Sequence, residues 1–96
     1  MNKSQLALAV ESIEGDCDIR GVMKNEDGET CAMGGLAESA GFDAAKGHFA
    51  VISAVRKFYG LSYEDTSKII RLNDKYAMKW TRVKHIAKYL NSLELE

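Results

Sequence analysis

The sequence predicts a mainly helical domain of the α+β class, with about five short helices around one core and one small β-hairpin near residues 17–33. Apolar residues recur every three or four positions in five separate segments, which is the spacing of amphipathic helices. Proline is absent, so glycines mark the ends of the elements. Hydrophobic residues make up 46% of the chain and charged residues 28%, a balance typical of a folded domain and not of a disordered segment.

The chain length of 96 residues fits one domain, which we expect to span residues 1–94. The final pair Leu95-Glu96 repeats the pair before it, as an expression-vector scar would, and is excluded from the domain. The sequence has no run of about 18 apolar residues, and acidic residues interrupt the first apolar stretch too early for a secretory signal. We therefore expect a cytoplasmic protein with no membrane contact, whose Cys17 and Cys31 are reduced thiols.

The first two predicted elements are a helix and the hairpin. Asn2 followed by Gln5 is typical of a capping box, and apolar residues then follow at helical spacing as far as Gly15. Residues 17–23 alternate weakly between apolar and polar, and residues 25–28 (NEDG) have turn chemistry. This pattern favours two short strands joined by a turn.

The second predicted helix, over about residues 31–40, contains two adjacent glycines, Gly34 and Gly35. Each helical glycine costs about 0.5–1 kcal/mol relative to alanine, so the pair must serve a purpose. A phosphate-binding loop is disfavoured because such loops precede a helix instead of lying inside it. The hypothesis we favour is close packing, with the hairpin backbone and Cys17 against the small face that Cys31 and the two glycines form.

Metal binding and catalysis are disfavoured by the positions of the residues that would perform them. Cys17, Cys31, His48 and His85 are 14, 17 and 37 positions apart in turn, without the close pairs of a zinc site. The neighbours of both cysteines are mostly acidic, which favours the neutral thiol over the nucleophilic thiolate. We therefore predict a protein that is not an enzyme and that has no metal and no cofactor.

The third predicted helix has the most regular apolar spacing. Asp43 can cap its start and Gly60 its end. His48 lies on the same side as the inward residues, which favours a core or boundary histidine over a ligand. The spacing places in the core Val51, Ile52, Val55, Phe58 and Tyr59.

Two more helices follow in the sequence. Ser62 and Asp65 are typical of a capping box for the first of them, which ends near Asn73-Asp74. The second covers residues 77–93. Its spacing predicts an inward stripe of Trp80, Val83, Ile86, Ala87 and Leu90, and an outward face of Thr81, Lys84, His85 and Lys88.

Charge is divided unevenly along the chain. Residues 1–45 carry three Lys/Arg against nine Asp/Glu, a net charge of −6, whereas residues 46–96 carry ten against five, a net charge of +5. One interpretation is that the second half binds an anionic partner, and the other is that two solvated faces of opposite sign stabilise each other. The side chains we expect to contact a protein partner or nucleic acid are Lys75, Lys79, Arg82, Lys84, His85 and Lys88.

Residues 60–90 resemble the helix-turn-helix part of sigma-factor-type and related DNA-binding domains. In those domains a Gly-Leu-Ser start leads into a short helix, a turn and a basic second helix. The resemblance implies that the helix from about residue 77 enters the major groove of DNA. Its phosphate or base contacts would then be Lys75, Lys79, Arg82 and Lys84.

A second resemblance covers residues 15–90. Cys17 and Gly21, the segment CAMGGLAESAG at 31–41, the pair Asn73-Asp74 and residues 83–90 resemble a group of small bacterial and phage proteins without a known activity. These motifs are typical of packing, so the resemblance implies a fold and no substrate.

Together these patterns predict an accessory or regulatory protein of a bacterium or phage that acts by binding a partner protein. The alternative is a helix-turn-helix DNA-binding protein that uses the basic helix 77–93.

Overall fold

The computed structural model describes residues 1–96 and contains five α-helices and one 3-10 turn, so the mainly helical prediction is confirmed. Every helix contributes to one core of 18 buried apolar residues. None of the helices is both long enough and apolar enough to cross a membrane. The helices are α1 Lys3–Asp16, α2 Ala32–Ser39, α3 His48–Tyr59, α4 Tyr63–Lys75 and α5 Lys79–Ser92, and the 3-10 turn is Ala44–Lys46.

The β-hairpin prediction is wrong. The segment between α1 and α2 contains no strand, only an isolated bridge between Lys24 and Thr30. Backbone pairing is confined to the turn, where the Asn25 amide donates to the Glu29 carbonyl at 2.9 Å and the Cys31 amide donates to the Met23 carbonyl at 3.2 Å. Farther from the turn the pattern is irregular, because the Thr30 carbonyl accepts from two successive amides of the opposite arm. Gly21, with a φ of 85°, bends the first arm as well. The result is an irregular loop, residues 17–31, instead of a ladder.

Both predicted capping boxes are present. The amide of Gln5 donates to the Asn2 side chain at 2.8 Å, and the amide of Asp65 donates to the Ser62 hydroxyl at 3.0 Å. In each box the return hydrogen bond to the backbone of the cap residue also forms. These local signals therefore define the starts of α1 and α4.

The start of α3 differs from the prediction. Asp43 caps the 3-10 turn, and Gly47, with a φ of 112°, separates that turn from the helix. As a result His48 is the first residue of α3 and is exposed, so its predicted place on the core side is wrong. Four of the five predicted core residues of this helix are buried, and the fifth, Phe58, is exposed.

Helix α2 is the central element and packs against α1, α3 and α4. Its residues 32–37 are all buried. A Cβ atom on Gly34 would overlap the carbonyl oxygen of Met23, and one on Gly35 would lie 2.7 Å from the Cβ of Asp16. Close packing of the two glycines is therefore confirmed, although the nearest atoms belong to Met23, Thr30 and Asp16 instead of a hairpin and Cys17.

Candidate binding surface on helices α4 and α5

Helices α4 and α5 form an antiparallel pair joined by a short connection. Near the start of α4, Asp65 accepts a hydrogen bond of 2.7 Å from the hydroxyl of Tyr89, which lies near the end of α5. Just after α4, the ring of Tyr76 stacks on His85 with the centroids 4.2 Å apart and the planes within 5°. Because the start of α4 contacts the end of α5, while the residue just after α4 contacts the middle of α5, the pair runs antiparallel.

The Asp65–Tyr89 contact changes the ionisation of both groups. Burial raises the pKa of Tyr89, and the Asp65 carboxylate adds to this, so that the pKa reaches about 12. Burial also raises the pKa of the Asp65 carboxyl. Hydrogen bonds from Tyr89 and Ser62 lower that pKa by more, so it lies below the usual range. The pair therefore stays a neutral phenol bound to a carboxylate over the whole physiological pH range.

Three of the predicted contact residues are exposed cations that make no ion pair. Lys84 and Lys88 make no ion pair and no hydrogen bond within the protein. Lys75 is exposed as well, and its ammonium lies 5.3 Å from the centroid of the Tyr76 ring. His85 is half-buried, with one face of its ring covered by Tyr76. The ammonium groups of Lys75, Lys84 and Lys88 are therefore accessible at the surface.

Lys79 is committed to an internal contact. Its ammonium lies 2.6 Å from a carboxylate oxygen of Asp18 and 3.4 Å from the carbonyl oxygen of Gly15. These bonds attach the start of α5 to the end of α1 and the loop that follows it. Lys79 therefore already has a carboxylate partner within the domain.

Arg82 does not belong to the surface, which corrects the sequence prediction. Only 3% of it is exposed. Its guanidinium donates to the carbonyl oxygens of Tyr76 at 3.2 Å, Ala77 at 2.7 Å and Cys17 at 2.8 Å. Arg82 thus joins the α4–α5 connection to the end of α1 and serves the structure of the domain.

The placement of Arg82 follows from a rotation of α5 relative to the predicted stripe. The buried residues of the helix are Arg82, Ile86 and Leu90, which recur every four positions. Trp80 is 63% exposed, so the prediction that it anchors the core is wrong. The predicted apolar stripe is therefore displaced around the helix from the buried face, which includes the charged residue Arg82.

Asn73 is the centre of a buried polar network that joins three segments. Its carboxamide oxygen accepts from the Cys17 thiol at 3.1 Å and from the amide of Ala32 at 3.0 Å, and its amino group donates to the carbonyl of Ile19 at 3.3 Å. Burial raises the pKa of the Cys17 thiol and of the Cys31 thiol, so both stay protonated. In the Asn73-Asp74 pair, Asn73 therefore has a structural role: its side chain joins three segments of the domain by hydrogen bonds.

Two cations on α4 extend the surface beyond the predicted set. Lys68 and Arg71 are exposed, make no ion pair, and lie with Lys75 at the spacing i, i+3, i+7 that puts them on one face of the helix. That spacing is visible in the sequence, so helical periodicity alone identifies them. We call the following five side chains the basic surface: Lys68, Arg71, Lys75, Lys84 and Lys88.

A small apolar patch borders this surface. Met78 is 62% exposed and lies beside Trp80, while Val83 is half-buried next to them. Glu14 of α1 lies at one edge of the patch, and the ammonium of Lys84 lies 6.0 Å from the centroid of the Trp80 ring. We call Met78, Trp80 and Val83 the Trp80 patch. The sequence prediction missed it because it assigned Trp80 to the core.

The most enclosed cavity lies elsewhere, under His48, between the 17–31 loop, α2 and α4. Its volume is about 70 Å³, and its walls include Cys31, Met33 and Asn73. The molecule has no group of three or more His, Cys, Asp or Glu side chains placed to hold one metal ion.

No protein-family model matches the chain, and neither the curated proteins nor the solved structures include a significant match.

Proposed function

We propose that this protein is a non-enzymatic accessory or regulatory protein of a bacterium or phage, which binds an acidic surface of a partner protein through its basic surface. The observation that carries the proposal is the presence of five exposed cations without an ion-pair partner on one antiparallel helix pair.

The distribution of ion pairs supports this proposal. Lys24 pairs with Glu38 at 2.9 Å and with Asp43 at 3.5 Å, and Lys79 pairs with Asp18. The acidic first half of the chain thus takes part in neutralising Lys24 and Lys79. The five cations of the basic surface make no ion pair, and the exposed anion Glu64 lies at helical spacing on α4, four residues before Lys68. Clustered charge of one sign attracts a partner of the opposite sign and raises the rate of association.

The state of the potentially reactive groups supports binding over catalysis. Both thiols are buried, and the raised pKa of each disfavours the thiolate that a nucleophilic cysteine needs. Cys17 donates to Asn73, and Cys31 accepts from the amide of Gly34 at 3.4 Å and so caps α2. Each thiol therefore already has a structural role.

The alternative, helix-turn-helix DNA binding, has less support. Recognition would use the cations at the start of α5, but Lys79 is bonded to Asp18, and the guanidinium of Arg82 is buried. In addition, α4 and α5 lie antiparallel, whereas the two helices of the motif cross at roughly 90–120°. The exposed cations alone are compatible with DNA, so the test has to include it.

The test compares capture of proteins from a lysate of the source organism by the wild type and by Arg71→Glu/Lys88→Glu. The matched control, Lys3→Glu/Lys46→Glu, makes the same change of net charge at exposed lysines away from the basic surface. We expect the wild type and the control to retain the same acidic protein, and the Arg71→Glu/Lys88→Glu variant to lose it. Equal capture by all three would contradict the proposal. Binding of random duplex DNA that weakens steeply with salt would favour the alternative.

A further inference from the structure

The Trp80 patch is the feature of the molecule that the proposed function leaves unused. Trp80, the single tryptophan of the chain, and Met78 each expose more than half of their surface at the start of α5. Exposed bulky apolar groups that lie together mark interaction sites, and tryptophan and methionine are enriched in interfaces. Tryptophan is also one of the residues that most often dominates binding energy.

The edges of the patch carry charges of opposite sign. Around α5, at about 100° per residue, Val83, Trp80 and Lys84 lie at about 60°, 120° and 160° from Ile86, so Trp80 lies between Val83 and Lys84. Glu14 lies on the Val83 side, where α1 packs. Lys79, the other cation at this edge, is neutralised by Asp18. One unpaired anion and one unpaired cation therefore flank the apolar centre.

This order of charges is self-complementary. In a two-fold symmetric dimer each residue at one edge of a patch contacts the residue at the opposite edge in the other copy. Glu14 of each protomer then meets Lys84 of its partner, while the two Trp80 side chains meet at the axis. We propose that a second copy of this chain is the occupant of the Trp80 patch and that the protein forms a two-fold symmetric dimer through it.

The patch is small for a dimer interface. Three apolar residues and two charges cover less than the about 800 Å² per partner of a standard interface, so the dimer is a weak one. Lys84 is the one residue that the dimer shares with the basic surface. The other four cations lie outside the patch, and the dimer needs no acidic partner to form.

The test uses the purified protein alone and measures its mass by sedimentation velocity from about 5 to about 500 μM. We expect the wild type to shift from monomer to dimer with concentration, and Trp80 emission to shift to shorter wavelength as the ring is buried. Glu14→Lys and Lys84→Glu each place like charges across the axis, so each variant alone is expected to be monomeric. Mixed in equal amounts, the two variants pair opposite charges again and should recover the dimer.

Matched controls are Glu26→Lys and Lys46→Glu, which make the same charge changes at exposed positions outside the patch. These controls should dimerise like the wild type, and circular dichroism should show all variants equally folded. A wild type that stays monomeric at the highest concentration would overturn the inference. So would a dimer that both single variants retain, or a mixture that stays monomeric. Failure of the acidic-partner test would leave this result unaffected.

Discussion

The thiol of Cys17 donates a hydrogen bond to the carboxamide of Asn73 at 3.1 Å, which ties the end of α1 to α4 across 56 positions of the chain. The same carboxamide oxygen also accepts from Ala32 at the start of α2, and the carbonyl of Cys17 accepts from the guanidinium of Arg82. Asn73 and Arg82, both buried, therefore fix the relative positions of α1, α2, α4 and α5. The exposed face of α4 and α5 depends on these contacts for its position.

Replacing Asn73 should show how much the network stabilises the domain. Asn73→Ala leaves the Ala32 amide and the Ile19 carbonyl without their partner in a site where Asn73 is only 2% exposed. We expect the free energy of unfolding to fall by about 2–4 kcal/mol, because each buried group left unpaired costs about 1–3 kcal/mol. Urea unfolding measures this. Asn91→Ala is the control, since the Asn91 amide bonds only within its own helix, and a similar loss in both would refute the network role.

The glycines of α2 can be tested against a glycine with open space. Gly34→Ala forces a methyl group into the carbonyl of Met23, and overpacking of this kind costs about 1–3 kcal/mol or more. Gly15→Ala, in α1, places the same methyl group where no atom lies within 4 Å, so it should stabilise by about 0.5–1 kcal/mol. Thermal unfolding of the two variants should therefore move in opposite directions. A Gly34→Ala variant that melts at or above the wild-type temperature would exclude close packing.

Arg82 and Lys88 lie on the same helix but should respond differently to the loss of charge. Arg82→Met leaves three backbone carbonyls without their donor and should lower the free energy of unfolding by about 3 kcal/mol. Lys88→Met changes an exposed side chain and should alter it by less than about 0.5 kcal/mol. Chemical unfolding of both variants checks this. Equal stability of the two would contradict the internal role of Arg82.

The Asp65–Tyr89 contact predicts a dependence of stability on pH. The pKa of Tyr89 is raised from 10.0 to about 12, first by burial and then by Asp65, so its contribution is complete below pH 10 and is lost as the pH rises to about 12. The pKa of Asp65 is lowered despite its burial, because Tyr89 and Ser62 donate to it. Its contribution is therefore present above its unfolded pKa of about 3.9 and is lost as the pH falls below that value.

Tyr89→Phe tests this contact. We expect the variant to be less stable than the wild type near neutral pH, and the difference to shrink above pH 10 and again in acid. Urea unfolding across the pH range measures it. Tyr63→Phe is the control, because Tyr63 is exposed and its hydroxyl makes no hydrogen bond within the protein, so its difference from the wild type should be small and constant. A constant difference for Tyr89→Phe as well would show that the contact does not stabilise the fold.

The sequence predicted those features of the fold that depend on neighbouring residues. The capping boxes at Asn2 and Ser62 and the need for close packing at Gly34 follow from local geometry, and all three are confirmed. The hairpin prediction failed because backbone pairing ends one bridge beyond the turn: Gly21 bends the first arm, and the Thr30 carbonyl accepts from two successive amides instead of continuing a ladder.

The candidate site was less predictable because it depends on which face of α5 turns inward. A count of apolar residues puts Trp80 inside and Arg82 outside. In the structure Trp80 is exposed and Arg82 is buried, because the Arg82 guanidinium donates to three carbonyl oxygens, one of them 65 positions away in the chain. A contact between distant residues of this kind leaves no periodic pattern. The spacing of Lys68, Arg71 and Lys75 on α4 does leave one, and it extends the basic surface.

The most direct test of the basic surface is photo-crosslinking in living cells from a residue that lies beside it. Ser92, exposed four residues after Lys88, is replaced by p-benzoylphenylalanine, which leaves all five cations in place. The control carries the same replacement at Ser4, an exposed serine on α1. We predict a covalent adduct to an acidic protein from position 92 that disappears when Arg71→Glu and Lys88→Glu are added, and none of this adduct from position 4. The same adduct from both positions, or from position 92 with the two charge reversals present, would contradict binding through the basic surface.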